Sequence, residues 1–379
     1  MRRRELPSLT GIRFYAALFV YLAHIRAIPG MKAFIGAPWL IDAGHIGVSF
    51  FFVLSGFILT YNYADLFRDG VSARDYGRFV WDRLTKMYPV HFLAMLVVLP
   101  ISILSPRLQI DWWAVPVHLA LLQCLWPSTA PSFWEQLNVP SWSISCEWFF
   151  YVLAPVTMFL AFGRRRRWIA LAGMAAYLCG LGIVLWQSDD SARDYFLTYF
   201  APTRFAEFMV GVFLARFFLS SSTATLARFS NWLLALGIVL VVAAELFRRD
   251  VAGPLPSRLL CAPGIGLFIM GLAAGRGRLA VHLSRPMVNR LGVATFALYL
   301  IHEPLVRAVK GVCLYLGWSV GSWPAALAVT LGMFAVVQTA ALLVCFVYEL
   351  PLQNRLRRLF VMRRARGAEA LPAALRQAA

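Results

Sequence analysis

The sequence predicts an all-α polytopic membrane protein with about ten transmembrane helices and both termini in the cytoplasm. Three observations predict it. Of the 379 residues, 60% are hydrophobic and only 14% charged, well beyond the roughly half-apolar composition of soluble domains. Apolar stretches of about 17 to 25 residues, long enough to cross a hydrocarbon core, recur from one end to the other. Basic residues gather in alternate loops between them.

Taken in order, the expected spans are 9–28, 45–65, 88–106, 143–162, 168–187, 196–216, 231–247, 258–274, 291–316 and 324–348. With the N-terminus in the cytoplasm, the inner segments are the N-terminal tail, 66–87, 163–167, 217–230, 275–290 and the C-terminal tail. Counting Arg216 at its helix end, these carry 25 of the 36 Lys and Arg, as the positive-inside rule requires for ten crossings. The first span begins like a signal peptide, but no small-residue cleavage site follows and Arg13 interrupts the run, so a retained helix is expected. Residues 112–126, WWAVPVHLALLQCLW, are apolar but short. As an eleventh crossing they would put Gly163 to Arg167 outside, so they read as a re-entrant or interfacial piece. Residues 1–350 are expected to form one membrane domain, with membrane lipids around it, and 351–379 a basic cytoplasmic tail, read as a positive-inside anchor rather than an amphipathic helix on anionic lipid.

Other classes are excluded on the same page. The net charge of +18 lies in loop clusters rather than along one helical face, so it reads as topology and predicts no nucleic acid partner. The six cysteines, Cys124, Cys146, Cys179, Cys261, Cys313 and Cys345, show no CxxC pair and no histidine at ligand spacing; free thiols are expected, with neither disulfide nor metal. There is no Walker A loop, no GxSxG elbow and no HExxH. A transporter or flippase of a lipid-linked glycan is the rival class, but no inverted repeat or matched pair of broken helices is visible. A polytopic sensor or scaffold would not need the buried charges described next.

Ionisable groups inside spans are costly and therefore candidates for function. Arg13 and His24 lie eleven residues apart in the first span, which returns them to within roughly 20° of one face and separates them by about 16 Å along the axis. A long donor with a phosphorylated head and a thin arm, such as an acyl-coenzyme A, matches that spacing. Arginine suits the phosphates and a neutral histidine suits deprotonation of an attacking hydroxyl. Interfacial packing of His24 and snorkelling of Arg13 are the plain structural alternatives. Arg78, Arg83 and Lys86 could hold phosphates or simply mark the inner face. Trp142, Ser143 and Glu147 open the fourth span, where Glu147 either steadies a histidine or pairs with Arg204, itself three residues before Glu207. His302 and Glu303 lie in the ninth span. Ser49, Ser55 and Gly56 occupy the second, and close helix packing is the expected use of Ser55 and Gly56.

Taken together, these motifs resemble acyltransferase family 3, membrane proteins that O-acylate bacterial surface polysaccharides and related acceptors. The resemblance covers residues 8 to 351. It rests on the opening helix with Arg13 and His24, on GVSFFFVLSGFILT, and on RFVWDRLTKMYP with Arg78, Arg83, Tyr88 and Pro89. It continues in PSWSISCEWFFY with Trp142, Ser143, Glu147 and Tyr151, in RFAEFMVG with Arg204, Phe205 and Gly211, and in LGVATFALYLIHEP and YELPLQNRL. Where the family often has adjacent basic residues, Trp81 and Asp82 precede Arg83. Some members carry an appended hydrolase-like domain; none is expected in this chain, so the membrane domain or a polysaccharide-assembly partner is expected to bind the acceptor.

The resemblance implies acyl-coenzyme A, with acetyl-coenzyme A expected, as donor and His24 as the essential residue. It also implies an exopolysaccharide, envelope glycan or lipid-linked oligosaccharide as acceptor, and residence in the bacterial inner membrane. Length and overall look are similar to the acetyltransferases of xanthan-type exopolysaccharide pathways. His24 and Glu147 are read as the catalytic pair. Arg13, Arg78, Arg83, Tyr88, Trp142, Ser143, Arg204 and His302 are read as the donor-binding set.

Overall fold

A computed structural model describes residues 4–35, 38–104, 110–125, 137–250, 257–275 and 277–369. Helix α1 (Pro7–Ile25) starts on a proline, whose missing N–H would have had no partner in the first turn anyway. It leads through a left-handed turn at Gly30 to α2 (Pro38–Phe67) and α3 (Ala73–Ile103). The side chain of Ser72 caps α3 by accepting from the amide of Asp75 at 3.1 Å. After a short helix, α4 (Ala114–Leu119), come α5 (Ser141–Phe162), α6 (Arg166–Trp186) and α7 (Asp190–Thr198). Then follow α8 (Ala201–Ser220), α9 (Thr223–Asp250), α10 (Ser257–Ala274), α11 (Arg278–Leu283) and α12 (Pro286–Val293). The chain closes with α13 (Thr295–Tyr315), α14 (Trp323–Leu343), a π-helical turn Val344–Glu349 and α15 (Leu350–Glu369).

The protein is an all-α polytopic membrane protein. Among the described residues, seven helices are long and apolar enough to cross a membrane: α1, α2, α3, α5, α6, α9 and the continuous run from Trp323. Each of the other three expected spans also falls on a helix. α8 and α13 carry the buried charges Arg204, Glu207 and Glu303 and the half-buried Arg307, which lower their hydropathy, and the apolar part of α10 is the shorter stretch Leu259–Ala274. Among its described residues, the segment from 112 holds only the six-residue α4, too short to cross at 1.5 Å per residue. Trp112 and Trp113 are exposed at its start.

α2 is the axis of the bundle, 72% buried over its apolar window, whereas α6 is 6% buried and α9 11%. Those two present their apolar faces outward, as lipid-facing helices do. α2 packs against α1, α5, α8 and α10, and α13 packs against α1, α3 and α14. Glycines set how closely these helices cross. A Cβ on Gly56 would strike the carbonyl of Phe208, and one on Gly211 that of Val53, so α2 and α8 meet backbone to backbone. Packing at Gly56 is therefore as expected. Gly211→Val should force the two helices apart and lower stability by about 1–3 kcal/mol, measured as a fall in unfolding temperature in detergent; an unchanged midpoint would refute the close crossing.

Five of the six cysteines are buried, all six are free, and Cys179 is exposed on α6. The C-terminal helix lies along α3: Trp81 Nε1 donates to the carbonyl of Leu356 at 3.4 Å, and Arg357 pairs with Asp82 at 3.3 Å.

Candidate active site

Arg13 from α1, Arg83 and Lys86 from α3, and Glu147 and Tyr151 from α5 converge on a cavity of about 130 Å³. Helical spacing explains the convergence. Arg83 and Lys86 are three residues apart and share a face of α3, while Ser143, Glu147 and Tyr151 stand four apart and form one stripe on α5. The Tyr151 hydroxyl donates to Glu147 Oε2 at 3.0 Å. Arg83 Nη2 donates to the Tyr63 hydroxyl at 3.0 Å, and its guanidinium lies 5.4 Å from the centre of the Tyr63 ring. The carboxylates whose fields reach Lys86 are Glu349, on the π-helical turn, and Glu147. Three cations around one lining carboxylate leave a surplus of positive charge, which suits a polyanionic ligand.

A second cavity of about 200 Å³ lies where α1 ends and α2 and α5 begin, lined by His24, Gly44, His45, Val139, Pro140 and Trp142 among others. His24 Nδ1 lies 2.9 Å from the carbonyl of Val20. A carbonyl oxygen can only accept, so the ring hydrogen sits on Nδ1 and Nε2 keeps its lone pair. The ring of His302 meets that of His24 edge-on, with centroids 4.9 Å apart.

Val48 and Tyr299 line both cavities and form the wall between them. The Ser143 hydroxyl donates to the carbonyl of Pro140 at 2.9 Å, which leaves its oxygen to accept from the Tyr299 hydroxyl at 2.8 Å. The wall is thereby pinned to the start of α5.

The structure sorts the expected residues. Arg13, Arg83, Ser143 and Glu147 line the cationic cavity, and His24 and Trp142 line the histidine cavity. Glu147 has Tyr151 as its hydrogen-bonded neighbour and does not line the cavity of His24, so the expected direct steadying of the histidine is not seen. Arg78 is exposed and absent from both linings. Five residues before Arg83, it points about 140° away around the helix. Tyr88, two residues after Lys86, faces the opposite way and stacks on Phe92.

Arg204 is buried behind the site. It pairs with Glu207 at 3.0 Å, donates to Ser49 at 3.2 Å and lies over the rings of Phe52 and Trp142. Glu147 is therefore not its counter-ion. His302 lines neither cavity and packs edge-on against the ring of His24. Ser55, expected only to pack, lines the cationic cavity. Sequence reading passed over Tyr299, which lies three residues before His302 in LYLIHEP and carried no charge to mark it.

Residues 6–342 match the family described as an acyltransferase domain. The chain is similar to acyltransferase MdmB of Streptomyces mycarofaciens, at 31% identity over 80% of this chain and 79% of MdmB. It is also similar to the O-acetyltransferase OatA of Staphylococcus aureus, at 26% identity over 56% of this chain and 34% of OatA. A third relative, provisionally named as the peptidoglycan O-acetyltransferase YrhL of Bacillus subtilis, is 24% identical over 56% of this chain and 33% of its own length. No solved structure matches.

Proposed function

From the premise that the chain belongs to acyltransferase family 3 and is a membrane O-acyltransferase, we propose that it moves an acetyl group from acetyl-coenzyme A to a glycan hydroxyl. The acceptor is an exopolysaccharide, another envelope glycan or its lipid-linked precursor, and the protein resides in the bacterial inner membrane. One observation carries the donor assignment: Arg13, Arg83 and Lys86 line one cavity, and a single wall separates it from the cavity of a histidine with a free Nε2.

In this reading the phosphates of the donor rest on Arg13, Arg83 and Lys86, and its pantetheine arm passes Val48 and Tyr299. At the far end, Nε2 of His24 takes the proton of the acceptor hydroxyl as its oxygen attacks the thioester carbonyl carbon. The carbon–sulfur bond breaks with its electron pair moving to sulfur, and the proton from His24 completes the coenzyme A thiol. Glu147, held by Tyr151, keeps the three cations from repelling one another.

The reading is tested by transfer of radiolabelled acetyl from acetyl-coenzyme A to envelope glycans in membranes containing the protein. Label on glycan supports it, and no transfer by folded protein with several acyl donors would sink it. Arg83→Ala and Lys86→Ala should each raise the donor KM by about 10- to 100-fold, as expected for loss of one charge-assisted contact, with little change in kcat. A normal donor KM in both variants would remove the phosphates from this cavity.

A further inference from the structure

His302 is a buried titratable group that the mechanism above leaves unused. It is 0% exposed, and its Nε2 has no hydrogen-bond partner among the described residues. Its Nδ1 lies 3.1 Å from the carbonyl of Leu298, four residues earlier on α13, so the hydrogen is on Nδ1 and Nε2 carries a bare lone pair. His24 has the same arrangement with Val20 on α1. Two imidazoles, each locked by its own helix with Nε2 left over, thus meet with centroids 4.9 Å apart.

An orphaned acceptor in an apolar interior is costly and asks for a reason. Packing does not supply one, because a phenylalanine would fill the place without stranding a lone pair. The interval of the reaction in which His24 holds the acceptor's proton does supply one. At that point His24 is a cation in a low-dielectric site, and the group packed against it is a neutral base with a lone pair to offer.

We propose that His302 is a positioning residue that shares, through Nε2, the proton His24 takes from the acceptor hydroxyl. The proton starts on the acceptor oxygen, bonds to His24 Nε2 and is held between the two rings. It then passes to the departing sulfur, and no charge or atom is gained or lost at His302. The inference rests on the acyl-transfer reading above and on His24 as base.

The experiment compares the intact chain, His24→Ala, His302→Phe and His302→Gln in detergent or nanodiscs, with kcat and KM for acetyl-coenzyme A determined separately. Phenylalanine keeps the ring and removes the lone pair, whereas glutamine loses the ring and retains an acceptor oxygen. Proton sharing predicts that kcat falls in the order intact, Gln, Phe, the Phe variant by about 10- to 100-fold, the range of a hydrogen bond to a charged group, with KM unchanged. Packing alone predicts the reverse order, and Phe equal to or better than Gln would overturn the inference. Transfer that survives His24→Ala, or no transfer by the intact chain, would overturn it together with the reading on which it rests. An active intact chain with a dead His24→Ala and a fully active His302→Phe would overturn the role of His302 alone. Yield and monodispersity of each variant establish that kcat is read on folded protein.

Discussion

Acyl transfer is expected to vanish in His24→Ala, by the roughly 10²- to 10⁴-fold that a positioned general base contributes, while the protein inserts and purifies at its normal yield. Both halves of that outcome come from the geometry. His24 Nδ1 bonds to a carbonyl of its own helix, so its removal breaks no hydrogen bond between helices and costs only the ring contact with His302. The Nε2 that remains is the group the reaction needs. A histidine serving only as a contact between helices would give the opposite pattern, a fall in yield with transfer retained by the surviving protein. Measuring glycan labelling per mole of folded enzyme separates the two.

Glu207→Ala should be the most destabilising single change at the heart of the bundle, by about 3–5 kcal/mol, since it leaves Arg204 charged and buried without its partner. Arg204 is 1% exposed and Glu207 0%, and the pair spans 3.0 Å within α8. Replacing both members with apolar residues of similar size, as in Arg204→Met with Glu207→Leu, should recover much of the loss, because the cost is the uncompensated charge. Thermal unfolding in detergent reads both results. The double variant also separates two roles for Arg204: if it folds and retains the donor KM, the arginine organises the helix; if its donor KM rises as in Arg83→Ala, the arginine contacts the donor after all.

How much of this was legible in the sequence follows from what each feature depends on. Apolar length and loop charge are local, and every expected span falls on a helix. The cationic cavity was legible in part, since Arg13 and Glu147 stand out as charges inside apolar spans and Arg83 and Lys86 belong to the basic run before the third span. Their sorting was not, because it depends on which way each helix turns. Arg78 and Arg83 belong to one basic run, yet five residues of helical rotation send one to the surface and the other inward. Arg204 reads as a donor contact through the family motif; its partner three residues on is visible, but not that the two meet at 3.0 Å. Tyr299 and Ser55 carry no charge, and their place in the site comes only from the meeting of α2, α5 and α13. The separation of Glu147 from His24 is likewise a matter of depth, which a motif cannot express.

The wall of Val48 and Tyr299 has a consequence for the cell rather than for the reaction. A bundle with cavities on either side of its middle would be a leak if they joined into a wet pore, and each ion crossing would dissipate about 2.3 kcal/mol per 100 mV of membrane potential. A valine and a tyrosine pinned by its hydroxyl stand between the two cavities, where a narrow apolar constriction would keep such a path dry. A thin uncharged arm can slide past such a seal, while a hydrated ion would have to shed its water first. On the proposed reading, the acyl group would pass from the cavity of Arg13 to that of His24 without opening a path for ions beside it.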